Sequence, residues 1–264
     1  MNKKYIFDKK NLALIKKEIS KAENILLFLD YDGTLAPFKN DPLSAFVLPE
    51  IKTSLEKLEK SSKYYLSLVS GRKLNELKKM IDLSYSNYAG SHGLEIDMFF
   101  KKEVIYPYQN QKIDVLSKKN YQKVKEEFLQ AESVELEDKG FGFALHFKSE
   151  LKKKEAKKEL KVLFENTAYQ VLSGRKIIEI RPKGWDKGKA VNYITDQIKA
   201  NLDLANGLRI YIGDDTTDED AFKVVKDGIT IYVQNENDLN TEAEFYLKDP
   251  ADTAELLKKL AGSF

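Results

Sequence analysis

Short apolar runs alternate with amphipathic stretches along most of this chain. Ile25-Leu26-Leu27-Phe28-Leu29 is continuously apolar, as expected of a strand buried on both faces, and it stops at Asp30. Residues 48–58 place Ile51, Leu55 and Leu58 on one helical face. Tyr64–Val69 reads as a second strand ending at Ser70-Gly71-Arg72, and residues 74–81 as the next helix. Tyr88-Ala89 leads into Gly90-Ser91-His92-Gly93, after which residues 94–100 and 103–106 predict a hairpin. From Trp185 the alternation resumes. Helices are expected at 187–198, 220–225 and 251–260, and strands at 209–212, 229–233 and 245–247. Such alternation predicts an α/β fold with a mainly parallel sheet.

The middle third has a different pattern. A helix over 111–129, strands over 133–136 and 141–147, a Lys-rich helix over 151–164 and strands over 169–172 and 177–180 form an α-β-β-α-β-β series of local hairpins. This predicts a small α+β domain over 108–182 inserted into a core formed by 1–107 and 183–264, with Pro107 and Pro182 at the joints.

Composition narrows the function. Lys plus Arg is 44 and Asp plus Glu is 42, so the net charge is only +2 and supplies little pull toward nucleic acid or an anionic membrane. Only Arg72, Arg175, Arg181 and Arg209 are arginines, a poor stock for bidentate recognition of nucleic acid. The absence of cysteine excludes disulfide scaffolds, zinc ribbons and thiol catalysis. Residues 1–24 hold no apolar stretch of the length a signal peptide needs, and no run is long enough to span a membrane. A cytoplasmic monomer is therefore expected.

Two acidic clusters follow apolar strands directly. The first is Asp30-Tyr31-Asp32-Gly33-Thr34, and strand carboxyl ends are where open α/β sheets bind ligands. Asp and Gly are also common turn residues, so the segment alone is ambiguous. An EF-hand reading fails, because the required glycine and glutamate positions hold Leu35 and Asp41. The second cluster is Gly213-Asp214-Asp215-Thr216-Thr217-Asp218-Glu219-Asp220. Helix capping by Thr216 or Thr217 explains Glu219 and Asp220 in a first turn, but not Asp214 and Asp215 ahead of the cap. Stacked acids with oxygen-only ligands point to a divalent cation, Mg²⁺ rather than a soft metal. Ser70-Gly71-Arg72 reads either as a plain turn or as a hydroxyl and amides directed at a phosphate. Lys187 opens a helix, where a positive charge is unfavourable unless an anion lies nearby.

Taken together, a strand with DxDGT, a serine after a second strand, a lysine opening a helix and a strand with GDDxxDE resemble the haloacid dehalogenase (HAD) superfamily, from about Ile25 onward. DYDGTL at 30–35, SGR at 70–72, GSHGLE at 90–95, EDKGFGFALHF at 137–147, GRKIIEIRP at 174–182, DKGKAV at 186–191 and GDDTTDEDAF at 213–222 are similar to the trehalose-6-phosphate phosphatases. One departure is Lys148, where that family often has arginine.

The resemblance implies a HAD-like Rossmannoid core with an inserted cap that reads the substrate. It implies Asp30 as nucleophile, Asp32 as general acid and then base, and Mg²⁺ held by Asp30, the Asp32 carbonyl and Asp214. Asp218 would serve the metal's water shell, and Asp215 either ligates or supports from behind. Ser70, Gly71 and Lys187 would hold the phosphoryl oxygens. Arg72, His92, Glu137, Lys139, Lys176 and Glu179 would bind a small sugar phosphate. Asp30, Asp214 and a phosphate dianion sum to −4, which Mg²⁺ and Lys187 offset by +3. A sucrose 6-phosphate or mannosyl-3-phosphoglycerate phosphatase, a phosphomutase and a silent phosphosugar sensor share parts of this pattern. The intact Asp32 argues against the sensor, because a binding module needs no acid there.

Overall fold

The computed structural model describes residues 3–39, 44–107, 115–129, 134–139, 141–174, 176–204, 207–236 and 240–262. The chain divides into two compact units, residues 1–106 with 186–264, and residues 107–185. Pro107 opens the second unit, while Pro182 ends a strand inside it.

The first unit begins with strand β1 (Lys4–Tyr5) and helix α1 (Lys9–Lys21), which turns Ile15 and Ile19 inward. Neither element is among those expected above; the two residues of β1 are too few to show a periodicity. Strand β2 (Ile25–Leu29) follows, buried at every position. Full burial of such side chains contributes about 1.5–3 kcal/mol each, which makes β2 the centre of the core. Helix α2 (Pro49–Leu58) starts on a proline, whose missing N–H costs nothing in a first turn, and buries Ile51, Leu55 and Leu58. Then come β3 (Tyr64–Val69), α3 (Leu74–Met80), β4 (Asn87–Gly90) and β5 (Glu95–Asp97). The expected hairpin is corrected here: β5 pairs antiparallel with β4, and the return strand is reduced to one bridge between Ile96 and Ile105.

The second unit carries α4 (Val115–Leu129), β6 (Val134–Asp138), β7 (Phe143–Phe147), α5 (Glu150–Phe164), β8 (Tyr169–Gly174) and β9 (Ile177–Pro182). The α-β-β-α-β-β order is the expected one. Residues 111–114, 133 and 140 of the expected elements lie outside the described residues. The strands form an antiparallel sheet in the order β6-β7-β9-β8. Phe143, Leu145, Phe147, Ile178 and Ile180 pack with Val124, Ala156, Leu160 and Phe164 of the helices. The alternate residues therefore face away from α4 and α5.

The chain returns to the first unit with α6 (Lys187–Leu202), β10 (Leu208–Gly213), α7 (Glu219–Val224), β11 (Ile229–Val233), β12 (Phe245–Leu247) and α8 (Pro250–Ala261). Among the described residues its sheet has the order β1-β12-β11-β10-β2-β3-β4-β5, parallel except for β5. Strand order reverses between β2 and β10, and a crevice opens at the carboxyl ends of strands at such a reversal. Leu29 is level with Ile212 on one side and Leu68 on the other, so Asp30, Ser70 and Asp214 leave the sheet along one edge.

Candidate active site

The loop after β2 is pinned before it presents any chemistry. The Asp30 amide donates to the Ile212 carbonyl at 2.9 Å, and the Leu35 and Ala36 amides both return to the Tyr31 carbonyl. Tyr31 is buried and donates its hydroxyl to the Ala45 carbonyl. Gly33 has φ +78°, and a Cβ there would sit 2.1 Å from Asp214 Oδ2. Glycine is therefore what lets the two acidic loops touch. Thr34 Oγ1 donates to Asp30 Oδ2 at 3.4 Å.

The loop after β10 is organised around Asp218, which is wholly buried. Its Oδ1 accepts from Lys187 Nζ at 2.7 Å and from the Tyr211 hydroxyl at 2.5 Å. Its Oδ2 accepts from the Asp214 and Asp215 amides at 3.0 and 2.9 Å. The expected caps are corrected. Asp215, not a threonine, caps the short turn Thr216–Asp218 in a reciprocal box with Asp218, and Asp218 in turn precedes α7. Asp215 is exposed.

Lys187 Nζ also donates to Asp30 Oδ1 at 2.7 Å, so one buried ammonium bridges both acidic loops. These are the anions its place in the first turn of α6 calls for. Asp30, Asp214 and Asp218 each bring a carboxylate oxygen within 4.8 Å of the others. Three carboxylates against one ammonium leave a formal −2 that a divalent cation matches, and an all-oxygen donor set suits a hard one. Burial pushes the Asp30 carboxyl up to about 7, with Lys187 pulling it down and Asp218 adding to the rise. Burial and the nearby Asp30 and Asp218 charges raise Asp214 well above the usual carboxylate range. Burial works against the charge on Lys187, yet Asp218 and Asp30 outweigh it and keep its pKa above that of an ordinary lysine.

Ser70 is buried and its Oγ accepts from the Arg72 amide at 3.2 Å; Lys73, not Ser70, precedes α3. The Leu74 amide at the start of α3 is taken by Glu95 Oε2, which also accepts from Ser91 Oγ. Ser91 and His92 both have left-handed φ, at 50° and 57°. Their strained backbone is tied to the SGR turn by Ser91 N to Arg72 O at 2.6 Å and His92 N to Ser70 O at 2.8 Å. A Cβ on Gly71 would sit 2.8 Å from His92 Nε2, so the ring lies directly against that turn. Arg72 directs its guanidinium at both oxygens of the Asp32 carboxylate and lies 5.3 Å from the Tyr31 ring centroid. Burial opposes its charge, but the bonds and charge of Asp32 prevail and raise its pKa.

In the second unit Glu137 is opposite Ala144, and Ala144 is opposite Glu179, so both acids share one row on the face away from the helices. Glu137 Oε2 lies 3.2 Å from His146 Nε2, and Lys139 Nζ is 3.3 Å from Glu179 Oε1 with both side chains buried. Lys176 is exposed in the β8–β9 turn at φ 57°, and Lys148 is exposed after β7.

Three first-unit residues around the carboxylates are not among the site residues expected from the sequence. Thr34 has a visible signal, since it lies inside the DxDGT run. Tyr211 alternates into a buried strand, where a phenol looks like core. Asn235, two residues past β11, donates to Gly33 O and Asp214 Oδ2, and its only sequence signal is a polar residue at a strand's carboxyl end.

Comparison with known proteins follows the same lines. The family profile described as trehalose-phosphatase matches residues 28–251. A probable trehalose-phosphate phosphatase I of Arabidopsis thaliana is 32% identical over 259 residues, spanning 92% of this chain and 69% of that protein. Among solved structures, the C-terminal domain of Candida albicans trehalose-6-phosphate phosphatase superposes with a TM-score of 0.81 at 22% identity, covering 96% of this chain and 97% of the other. A haloacid dehalogenase-like hydrolase from Bacteroides thetaiotaomicron gives 0.68 at 16% identity over 90% and 99%. Both structural likenesses speak to the fold. No helix among the described residues is long and apolar enough to cross a membrane.

Proposed function

The chain belongs to the trehalose-phosphatase family of phosphoric monoester hydrolases, and from that premise we propose that it releases phosphate from trehalose 6-phosphate through an Mg²⁺-assisted transfer to Asp30. The observation that carries this reading is the meeting of the Asp30 and Asp214 carboxylates, from two strands at the reversal of the sheet, with Lys187 bonded to the first.

The Asp30 carboxylate attacks phosphorus, forming a bond to its oxygen as the bond to the sugar oxygen breaks. Asp32 gives a proton to the departing sugar oxygen. It then takes one from the water that attacks the phosphorus of the aspartyl-phosphate, which frees phosphate and restores Asp30. Lys187 has three N–H donors, two of them on Asp30 and Asp218, so one remains for a phosphoryl oxygen. Ser70 and the Gly71 backbone complete that grip. Asp30, the Asp32 carbonyl and Asp214 would hold Mg²⁺, with Asp218 supporting the loop behind them. When bound, the ion supplies Lewis-acid charge against the phosphoryl oxygens. Sugar recognition falls to Arg72 and His92 of the first unit and to Glu137, Lys139, Lys176 and Glu179 of the second. The shared row of Glu137 and Glu179 supports the latter.

Phosphate release from trehalose 6-phosphate, sucrose 6-phosphate and mannosyl-3-phosphoglycerate, with Mg²⁺ and with chelator, tests the proposal. Trehalose 6-phosphate is expected to give the highest kcat/KM, with turnover lost on chelation. Preference for another sugar phosphate would overturn the substrate, and chelator-resistant turnover would overturn the cation.

A further inference from the structure

Asn235 joins the two acidic loops from a third strand. It follows β11, its amide donates to the Lys248 carbonyl at 2.7 Å, and its backbone is left-handed at φ 49°. Asparagine tolerates that conformation better than most residues with a Cβ. From this fixed backbone Nδ2 donates to the Gly33 carbonyl at 3.0 Å and to Asp214 Oδ2 at 3.3 Å. The Gly33 carbonyl can only accept, so the NH₂ end of the amide must face it, and Asp214 with it. The Gly33 loop and Asp214 already meet too closely for a Cβ at position 33, and Asn235 is the donor that holds the two acceptors together.

The chemistry of the donor is informative. A lysine or arginine at this place would neutralise Asp214 and compete with a cation for it. A neutral amide fixes one carboxylate oxygen while leaving its negative charge in place.

We propose that Asn235 is a positioning residue that orients Asp214 for divalent-cation binding and locks it to the nucleophile loop. This rests on the reading of Asp30 and Asp214 as cation ligands. Hydrogen-bond partners behind metal ligands are typically worth about 10- to 100-fold in metal affinity.

The test compares the full wild-type chain with Asn235→Gly, which keeps the left-handed backbone, and Asn235→Ala, which strains it. Mg²⁺ affinity is measured by calorimetry and the cation-free melting temperature by circular dichroism. Both variants are expected to bind Mg²⁺ about 10- to 100-fold more weakly, Asn235→Gly while still melting cooperatively without cation, and saturating Mg²⁺ should recover most of the turnover. Wild-type affinity in Asn235→Gly overturns the inference, whether or not Asn235→Ala is impaired. Loss of cooperative cation-free melting in Asn235→Gly also overturns it, in favour of a role in folding alone. If the wild-type chain itself binds no Mg²⁺, the cation reading fails first and takes this inference with it.

Discussion

The guanidinium of Arg72 closes on the carboxylate of Asp32 through two hydrogen bonds, Nε to Oδ2 at 2.7 Å and Nη2 to Oδ1 at 2.6 Å. A forked pair of this kind fixes the carboxylate plane as well as its position. Asp32 keeps about a third of its side-chain surface, whereas Arg72 is nearly covered, so the arginine is the fixed member. Replacing Arg72 by lysine keeps the charge and loses the fork. The expected result is a fall in kcat of about 10- to 100-fold on trehalose 6-phosphate, part of the roughly 10²–10⁴ that a positioned acid–base group supplies. p-Nitrophenyl phosphate, whose leaving group needs no proton, should lose less. An equal fall on both substrates would assign Arg72 to folding, and a raised KM at constant kcat would assign it to sugar binding alone.

Lys187→Ala removes the ammonium that bridges Asp30 and Asp218. Without it, nucleophile and substrate repel each other with one positive charge fewer between them. Steady-state assays at saturating Mg²⁺ are expected to show a loss of at least about two orders of magnitude, close to 2.7 kcal/mol of transition-state stabilisation. A loss below tenfold would contradict its role.

The raised carboxyls give stability a definite pH dependence. Asp30 titrates near 7 in the folded chain against 3.8 unfolded, and Asp214 is shifted in the same direction. A group raised in the folded state favours folding below its unfolded pKa, and that contribution is lost as pH rises through the folded value. The cation-free chain should therefore lose stability between about pH 4 and 7 from Asp30, with Asp214 acting in the same direction. Cation binding needs the ionised forms and releases protons, so Mg²⁺ should raise the melting temperature more at pH 8 than at pH 5.5. Calorimetric melts at both pH values check this, and an Mg²⁺ effect that is larger at pH 5.5 would contradict it.

Glu137 and Glu179 call for different outcomes despite sharing a row. Glu137 is partly exposed beside His146, so Glu137→Ala should raise KM for trehalose 6-phosphate and spare p-nitrophenyl phosphate turnover. Glu179 is buried against Lys139, and Glu179→Ala removes a buried partner of that lysine, so it should destabilise the chain more than Glu137→Ala does. Urea unfolding of the two variants separates the effects, and equal destabilisation would contradict the distinction.

What could be read from the sequence follows from range. A strand buried on both faces must be continuously apolar, so β2 and the acids that leave it stand out, as do β10 and its cluster. The α-β-β-α-β-β order is legible for the same local reason. Pairings across the chain are not. Arg72 lies 40 residues from Asp32 and Asn235 lies 202 from Gly33, and no periodicity links either pair. Asp218 looks like an ordinary acid at a helix start, yet it collects four donors in the interior. The two-residue β1 is held by β12 and has no local signal at all.

The central claim is that Asp30 accepts the phosphoryl group. Turnover of trehalose 6-phosphate with Mg²⁺, quenched in acid and reduced with tritiated borohydride, converts an aspartyl-phosphate into labelled homoserine, and peptide mapping locates it. Label at position 30, absent from Asp30→Asn and from a chelated reaction, is the predicted result. Efficient phosphate release with no label, or with label on another acid, would contradict the account.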